Sequence, residues 1–422
     1  MKAKERYDQL QGDRSSFLTA ARRASDLTLP YLIRDDNEYT GSMRTLVTPW
    51  QSVGAKGVVT LASKLMLALL PPQTSFFKLQ ADEAEMGEID PQIRTEMDLS
   101  FAKIERTIMS ELAASHDRVT VHQALKHLVV GGNALIYMGK EGLKLYPLNR
   151  YVVDRDGNGN VIEIVTRERI AKSLVEKYLP KQDPNPVMSD NNPSEDEIDI
   201  YTHVKRENNR YVWHQEVEGV IIEKSLSKAP VETNPWLVLR FNTVDGEEYG
   251  RGRVEEFIGD LKSLEALSQA LVEGSAAAAK VIFTVSPSAT TKPQSLAQAG
   301  NGAIIQGRPD DIGVVQVGKT ADFRTAYEMA MGLEKRLADA FLIMQVRNSE
   351  RTTAEEVRMT QMELDQQLGG IYSLLTVEFL VPYLNRKLSI AQKNGSIPKL
   401  PDKLVKPTIV AGVNALGRGQ DR

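Results

Sequence analysis

The 422-residue chain carries 52 lysines and arginines against 56 acids, a formal charge of −4, with 41% hydrophobic and 26% charged residues. It is longer than one ordinary core uses, so about two to four packed units are expected, and the composition excludes wholesale disorder. The acid excess argues against permanent wrapping of nucleic acid, and the absence of cysteine removes disulfides, thiolate metal sites and cysteine nucleophiles and suits a reducing cytosol.

The N-terminus reads MKAKERYDQLQGDR, and its charges continue where a secretory signal needs an apolar run. Residues 8–27 and 52–70 are predicted helices. The second holds the longest apolar stretch, GVVTLASKLMLALL. That run is too short to span a bilayer, contains Lys64 and stops at Pro71 and Pro72, so no membrane span is expected. Residues 93–116 read as an amphipathic helix with Phe101, Ile104, Ile108 and Leu112 on one face. A further helix at 119–130 is closed by Gly131 and Gly132, where left-handed backbone is wanted. Strands are predicted at 133–138, 143–147, 151–154, 161–166, 198–205, 210–217 and 220–225. A polar, proline-laden surface loop fills 181–197, and a strand at 236–242 completes an α+β region.

The second half changes character. Residues 254–283 form one continuous helical pattern, near 45 Å at ~1.5 Å per residue, and its stretch from Gly274 to Ala279 is slim enough for close backbone approach. A proline- and glycine-punctuated segment at 284–319 contains short β-like runs at 303–306 and 314–317. A helix at 321–344, a polar loop at 345–352 and a very long helix at 353–392 follow. The last opens on a capping signature, Thr353 with Glu356 three residues on, and has Gly369, Gly370 and Pro382 as places to bend. A lone monomer has little to bury such helices against. The ending ALGRGQDR lacks a closing cap or packed helix, and the natural chain is expected to continue past Arg422.

Motifs with chemistry are few. Residues 313–320, GVVQVGKT, satisfy the P-loop pattern, yet Arg308, Pro309, Asp310 and Asp311 precede it in place of a strand, and its valines favour extended backbone. A strand leading into a helix is the better reading. Asp154 to Asn160, DRDGNGN, resembles the front of a calcium loop, but the twelfth position is Val165 where a glutamate is needed. A hairpin turn is expected there. The five histidines, His116, His122, His127, His203 and His214, show no metal-ligand spacing and read as structural. Gly250 and Gly252 lack the third glycine of a dinucleotide fingerprint, and no serine nucleophile elbow is present. Arg347 and Arg351 bracket a polar loop; on residues alone it reads as a solvated surface, though two arginines there can touch phosphate.

Several segments, in order across almost the whole chain, resemble the portal, or head–tail connector, proteins of short-tailed podoviruses of the autographivirus group. They are TPWQSVGAKG from Thr48, LASKLMLAL from Leu61, ALKHLVV from Ala124, DIYTH from Asp199 and GRGRVEE from Gly250. GRPDD from Gly307, TAEE from Thr353, GGIYS from Gly369 and LGRGQD from Leu416 complete the series.

The resemblance implies an α+β, mainly α, phage portal fold assembled as a ring of about twelve subunits at one capsid vertex. Double-stranded DNA would pass through its channel in packaging and ejection. Residues 1–252 would be the wing, 253–283 a stem helix, 284–320 the clip and 321–344 the second stem helix. The tunnel loop would be 345–352, and 353–422 a long wing-to-crown helix with part of the crown. The resemblance places Arg347, Asn348, Ser349 and Arg351 in the loop facing DNA. It places Pro287, Lys292, Pro293 and Arg308 on the clip docking surface, and Ala276, Ala277 and Ala278 in stem packing. Implied partners are further copies of the chain, the terminase large subunit, a tail adaptor, major capsid and scaffolding proteins, internal core proteins, and DNA in transit, with no membrane. No enzymatic activity, cofactor or metal is expected, because in this family the terminase hydrolyses ATP. The implied location is the virion portal vertex, after assembly in the host bacterial cytoplasm. Two other readings stand beside it: a P-loop nucleotide-binding protein using residues 313–320, and a tail or capsid structural protein without a channel.

Overall fold

The computed structural model describes residues 2–33, 46–72, 75–81, 91–175, 197–278, 282–288, 290, 292–298, 304, 306, 308–315, 320–343, 369–400 and 405–409. Helix α1 (Ala3–Asp26) begins five residues before the periodicity implied, because side chains hold its first turn. Glu5 accepts the Lys2 backbone N–H at 3.1 Å, and Glu216 accepts that of Ala3 at 2.8 Å. Charges then fasten the helix to the strands beneath. Arg6 donates to Glu163 at 2.7 Å and to Asp154 at 2.6 Å. Burial pushes the Glu163 carboxyl up, but hydrogen bonds from His203 and Arg6 outweigh it and hold the group at about 2. Arg14, only 1% exposed, donates to the Tyr7 hydroxyl and to the carbonyls of Leu148 and Tyr151 at 2.9–3.1 Å.

Helices α2 (Val53–Leu69), α3 (Pro91–Ala114) and α4 (Asp117–Gly131) build the main core. Phe101, Ile104, Ile108 and Leu112 are all buried, as their spacing predicts. Helix α4 ends at Gly132, with φ +74° and its N–H on the Leu128 carbonyl. Inside it His127 is buried, which lowers its pKa to about 4 from the ordinary 6.5. Between those values the unfolded chain binds a proton that the folded chain refuses. The His127 contribution to stability therefore falls as pH falls through that window and levels off below it, a change of about 3 kcal/mol. Urea unfolding of the protein at pH 7 and at pH 4 is expected to show that loss, and His127→Leu to lack it; equal pH slopes would clear His127 of the role.

Among the described residues the strands form four antiparallel sheets. Strands β2 (Asn133–Gly139), β3 (Gly142–Tyr146) and β9 (Trp236–Arg240) order as β3-β2-β9. Strands β4 (Tyr151–Arg155), β5 (Val161–Ala171), β6 (Glu197–Glu207), β7 (Arg210–Val217) and β8 (Val220–Pro230) follow one another as a five-stranded meander. The predicted strand 220–225 is too short: beyond it Ser227–Pro230 keep pairing with Arg210–Trp213 after a register shift. A two-stranded sheet of β1 (Phe77–Ala81) and β12 (Val405–Ile409) is absent from the sequence reading; Phe77 pairs with Ile409, and so remote a partner leaves no local signal. Strands β10 (Ile282–Val285) and β11 (Ile312–Val315) make the fourth pair.

The predicted single helix at 254–283 is divided. A short α5 (Arg253–Glu256) stops at Phe257, then α6 runs Ile258–Ala278. Phe257 packs on Phe341 with ring centroids 6.0 Å apart and lies under the Arg253 guanidinium at 4.9 Å. Phe283 belongs to β10, where Ile282, Phe283 and Val285 favour extended pairing over helix. Helix α7 (Pro293–Gln298) is a short insertion, and α8 runs Thr320–Ala340.

Of the predicted helix 353–392, residues up to 368 lie outside the described residues, and 369–394 are helical. The irregularity falls between the two expected bend sites. Thr376–Leu380 widen into a π turn, with the Val381 N–H on the Thr376 carbonyl, before helix α9 (Val381–Asn394) continues. Pro382 brings no N–H and its ring crowds the carbonyl four residues back, which the wider turn relieves. The segment 181–196 and the loop 345–352 lie outside the described residues; of 303–306 only Ile304 and Gln306 are described, and neither is in a strand.

Candidate functional site

The segment from α6 through β10 and β11 to α8 holds most of the described candidate residues. Burial along α6 declines from Leu261 (0%) and Leu264 (4%) to Val272 (52%). Helix α8 buries one narrow stripe, Ala330, Leu333 and Leu337, and leaves Tyr327, Met329 and Met331 about half exposed. The two helices approach closely where a Cβ on Gly274 would stand 2.4 Å from the Phe323 ring. The slim stretch therefore serves first as a seat for Phe323 inside the chain. Ala276 and Ala277 remain exposed, and the Ala278 side chain is outside the described residues. Arg336 of α8 reaches Asp260 of α6 at 3.2 Å.

Beyond α8 the chain is locked to the main core. Leu342 takes a left-handed conformation, φ +55°, with its N–H on the Asp339 carbonyl and that of Ile343 on the Ala338 carbonyl, a Schellman ending. Lys64 of α2 donates to the Leu342 carbonyl at 2.6 Å. Gly57 makes room for Phe341, since a Cβ there would stand 2.7 Å from its ring. Arg347, Asn348, Ser349 and Arg351, the residues expected to face DNA, lie outside the described residues.

Between the helices, the β10–β11 pair is pinned by Asp311, which the sequence reading did not single out. Its backbone carbonyl accepts the Ser286 N–H at 3.0 Å. Its carboxylate accepts from the Thr290 N–H and hydroxyl at 3.1 Å and from the Arg308 N–H at 3.3 Å. Asp residues accepting nearby backbone N–H groups are a signal of turns, and here it draws two distant edges together. Pro287, Lys292, Pro293 and Arg308 are all exposed.

The motif at 313–320 does not make a phosphate cradle over its described part. Gly313, Val314 and Val315 pair in register with Thr284, Phe283 and Ile282, so their amides run along a ladder. Gly318 and Lys319 lie outside the described residues. The calcium-like stretch is a hairpin turn, with Gly159 at φ +81°. One oxygen of Asp156 takes the backbone N–H groups of Asn158 and Asn160, and the other takes the Asn160 amide, all at 2.8–2.9 Å. Val165 is fully buried in β5. Gly250 and Gly252 bind no dinucleotide turn; they pack against the end of α4, with a Cβ on Gly252 2.5 Å from the Val130 carbonyl oxygen. His122 meets the Ser63 hydroxyl at 3.2 Å, whereas His203 and His214 pair across β6 and β7.

The family model for bacteriophage head to tail connecting protein matches residues 1–421. Among curated relatives, the portal protein of Escherichia phage T7 is 39% identical over 431 aligned positions, 99% of this chain and 80% of that one. The portal protein of Enterobacteria phage T3 is 42% identical over 441 positions, 99% of this chain and 79% of that one. The portal protein of Enterobacteria phage SP6 is 30% identical, covering 98% and 79%. Among solved structures the chain is similar to one in the neck of an empty GTA particle, with a TM-score of 0.44, 11% identity, and coverage of 87% and 83%, too distant to bear on function. On a match spanning its whole described fold, this chain belongs to the bacteriophage head to tail connecting protein family, together with the portal proteins of short-tailed phages.

Proposed function

We propose that the chain is a portal subunit that assembles into a ring of about twelve copies, conducts double-stranded DNA in packaging and ejection, and docks the terminase and then a tail adaptor. The family match over residues 1–421 carries this reading. The half-exposed Val272, Tyr327, Met329 and Met331 on α6 and α8 are consistent with it, since they offer apolar side chains for a neighbouring subunit to cover. In this reading α6 and α8 are the stem, with Ala276, Ala277 and Ala278 against the next subunit. Residues 284–320 are the clip, presenting Pro287, Lys292, Pro293 and Arg308. Arg347, Asn348, Ser349 and Arg351 form the tunnel loop.

The physics of a ring suits a conduit. The −4 charge of one chain becomes about −48 over a dodecamer, a net charge that disfavours tight holding of the polyanion it passes. Up to about 24 tunnel-loop arginines then supply contacts that are individually cheap to break and collectively able to grip when packaging pauses.

The experiment is electron microscopy of the purified chain in top view. A ring of about twelve copies, near 560 kDa, is the expected result; a monomer or a shell-like lattice contradicts it. Ala277→Phe is expected to impair ring formation, and normal rings from that variant would remove Ala277 from the interface. Alanine at both Arg347 and Arg351 is expected to leave rings intact while filled heads lose DNA. Unchanged retention with normal packaging rejects the gripping role.

A further inference from the structure

His203 and His214 are direct partners across the antiparallel β6–β7 pair, and Glu216 lies two residues beyond His214 on the same face. One ligand atom from each of the three lies within 4.8 Å of the others. The His214 Nε2 and a Glu216 oxygen are already 2.9 Å apart. The side chains of His203 and Glu216 are 2% and 6% exposed, while that of His214 is 21% exposed and leaves an entry path.

We propose that His203, His214 and Glu216 form a site for a zinc-class divalent cation beneath the first turn of α1. Two imidazoles and one carboxylate are a donor set for zinc, leaving a fourth position for water. Donors sharing one tetrahedral zinc stand about 3.3 Å apart, so the span asks for movements of roughly 1 Å or less per side chain.

The surrounding bonds are those that orient metal ligands. The His203 Nε2 meets Glu163, which leaves Nδ1 as the ring nitrogen that would ligate the metal. The second oxygen of Glu216 is held by the Ala3 N–H at 2.8 Å. Charge points the same way. Glu163 faces Arg6 and Lys205, whereas among the described residues buried Glu216 has no lysine or arginine partner and meets only His214 and an amide. A divalent cation supplies that positive charge. Because α1 covers the site, bound metal would staple the N-terminal helix to the meander.

The test uses the full chain, stripped with a chelator and titrated with Zn2+ alone in competition with a chromophoric indicator. One zinc per chain with Kd below about 1 μM is expected, and at 100 times Kd the folded-to-unfolded ratio should rise about a hundredfold. His214→Gln is expected to weaken binding at least tenfold, and His122→Gln to leave it unchanged. Co2+ should give the visible absorption of a four-coordinate site in the wild type and lose it in His214→Gln. Should that variant fold poorly in chelator, Glu216→Gln serves, since its amide oxygen still accepts from Ala3 but ligates metal poorly. Absence of stoichiometric binding, or binding indifferent to both the His214 and Glu216 changes, overturns the site.

Discussion

Glu378→Ala is expected to cost about 3–5 kcal/mol, the scale for stranding a buried charge. Glu378 sits in the π turn and reaches β9, where it accepts from the Arg240 backbone N–H, Nε and Nη2 at 2.7–2.9 Å. Arg155 approaches the same carboxylate at 3.9 Å. The side chains of Arg155 and Glu378 are 4% and 12% exposed, so water does little of the solvating. Burial, with the charge of Arg240 beside it, pulls the Arg155 guanidinium below the ordinary arginine range, and the carboxylate offsets that. Its removal leaves two guanidinium groups facing each other with no anion. Equilibrium urea unfolding should show a lower midpoint at unchanged slope. Glu378→Gln should fall between, since it keeps an acceptor and loses the charge. A loss under about 1 kcal/mol in Glu378→Ala would show that the cluster relaxes or hydrates.

Gly132→Ala is expected to cost about 2–5 kcal/mol, or to prevent folding, from two sources. The first is backbone strain: φ is +74°, where an L side chain costs about 1–2 kcal/mol. The second is space. A Cβ there would stand 2.4 Å from the Arg251 carbonyl carbon and 2.6 Å from Gly250 O and Gly252 N, all main-chain atoms that cannot rotate away. Asn133 locks that knot by donating to Gly250 O at 2.7 Å and accepting the Gly250 N–H at 2.7 Å. Gly142→Ala is the control. Its φ of +122° carries strain, but nothing lies within 4 Å, so it should be the milder change. Equal thermal unfolding losses in the two variants would put the whole cost in strain and none in the close approach.

Much of this protein was written locally. The period of apolar residues marks the buried face of α3, the Gly131–Gly132 pair marks the end of α4, and Asp156 with its asparagines marks the turn before β5. The valines of the P-loop-like stretch announce the strand that the described part forms. Such signals survive because side-chain direction repeats with the backbone, every 3.6 residues in a helix or every two in a strand. The family was legible too, through many short segments in a fixed order, while the expected DNA-facing loop lies outside the described residues.

What only the tertiary structure decided lies between residues far apart in the chain. Glu378 and Arg240 are 138 positions apart, and nothing near either announces the other. Phe77 finds Ile409, and Phe257 leaves the helical path where it meets Phe341. His203 and His214 carry no metal-ligand spacing in one strand or helix; the β6–β7 register places them opposite each other. Local pattern sets which face of an element is apolar. Which faces then meet, and which charges are buried together, depends on the free energy of the whole packed chain, and no window of the sequence contains it.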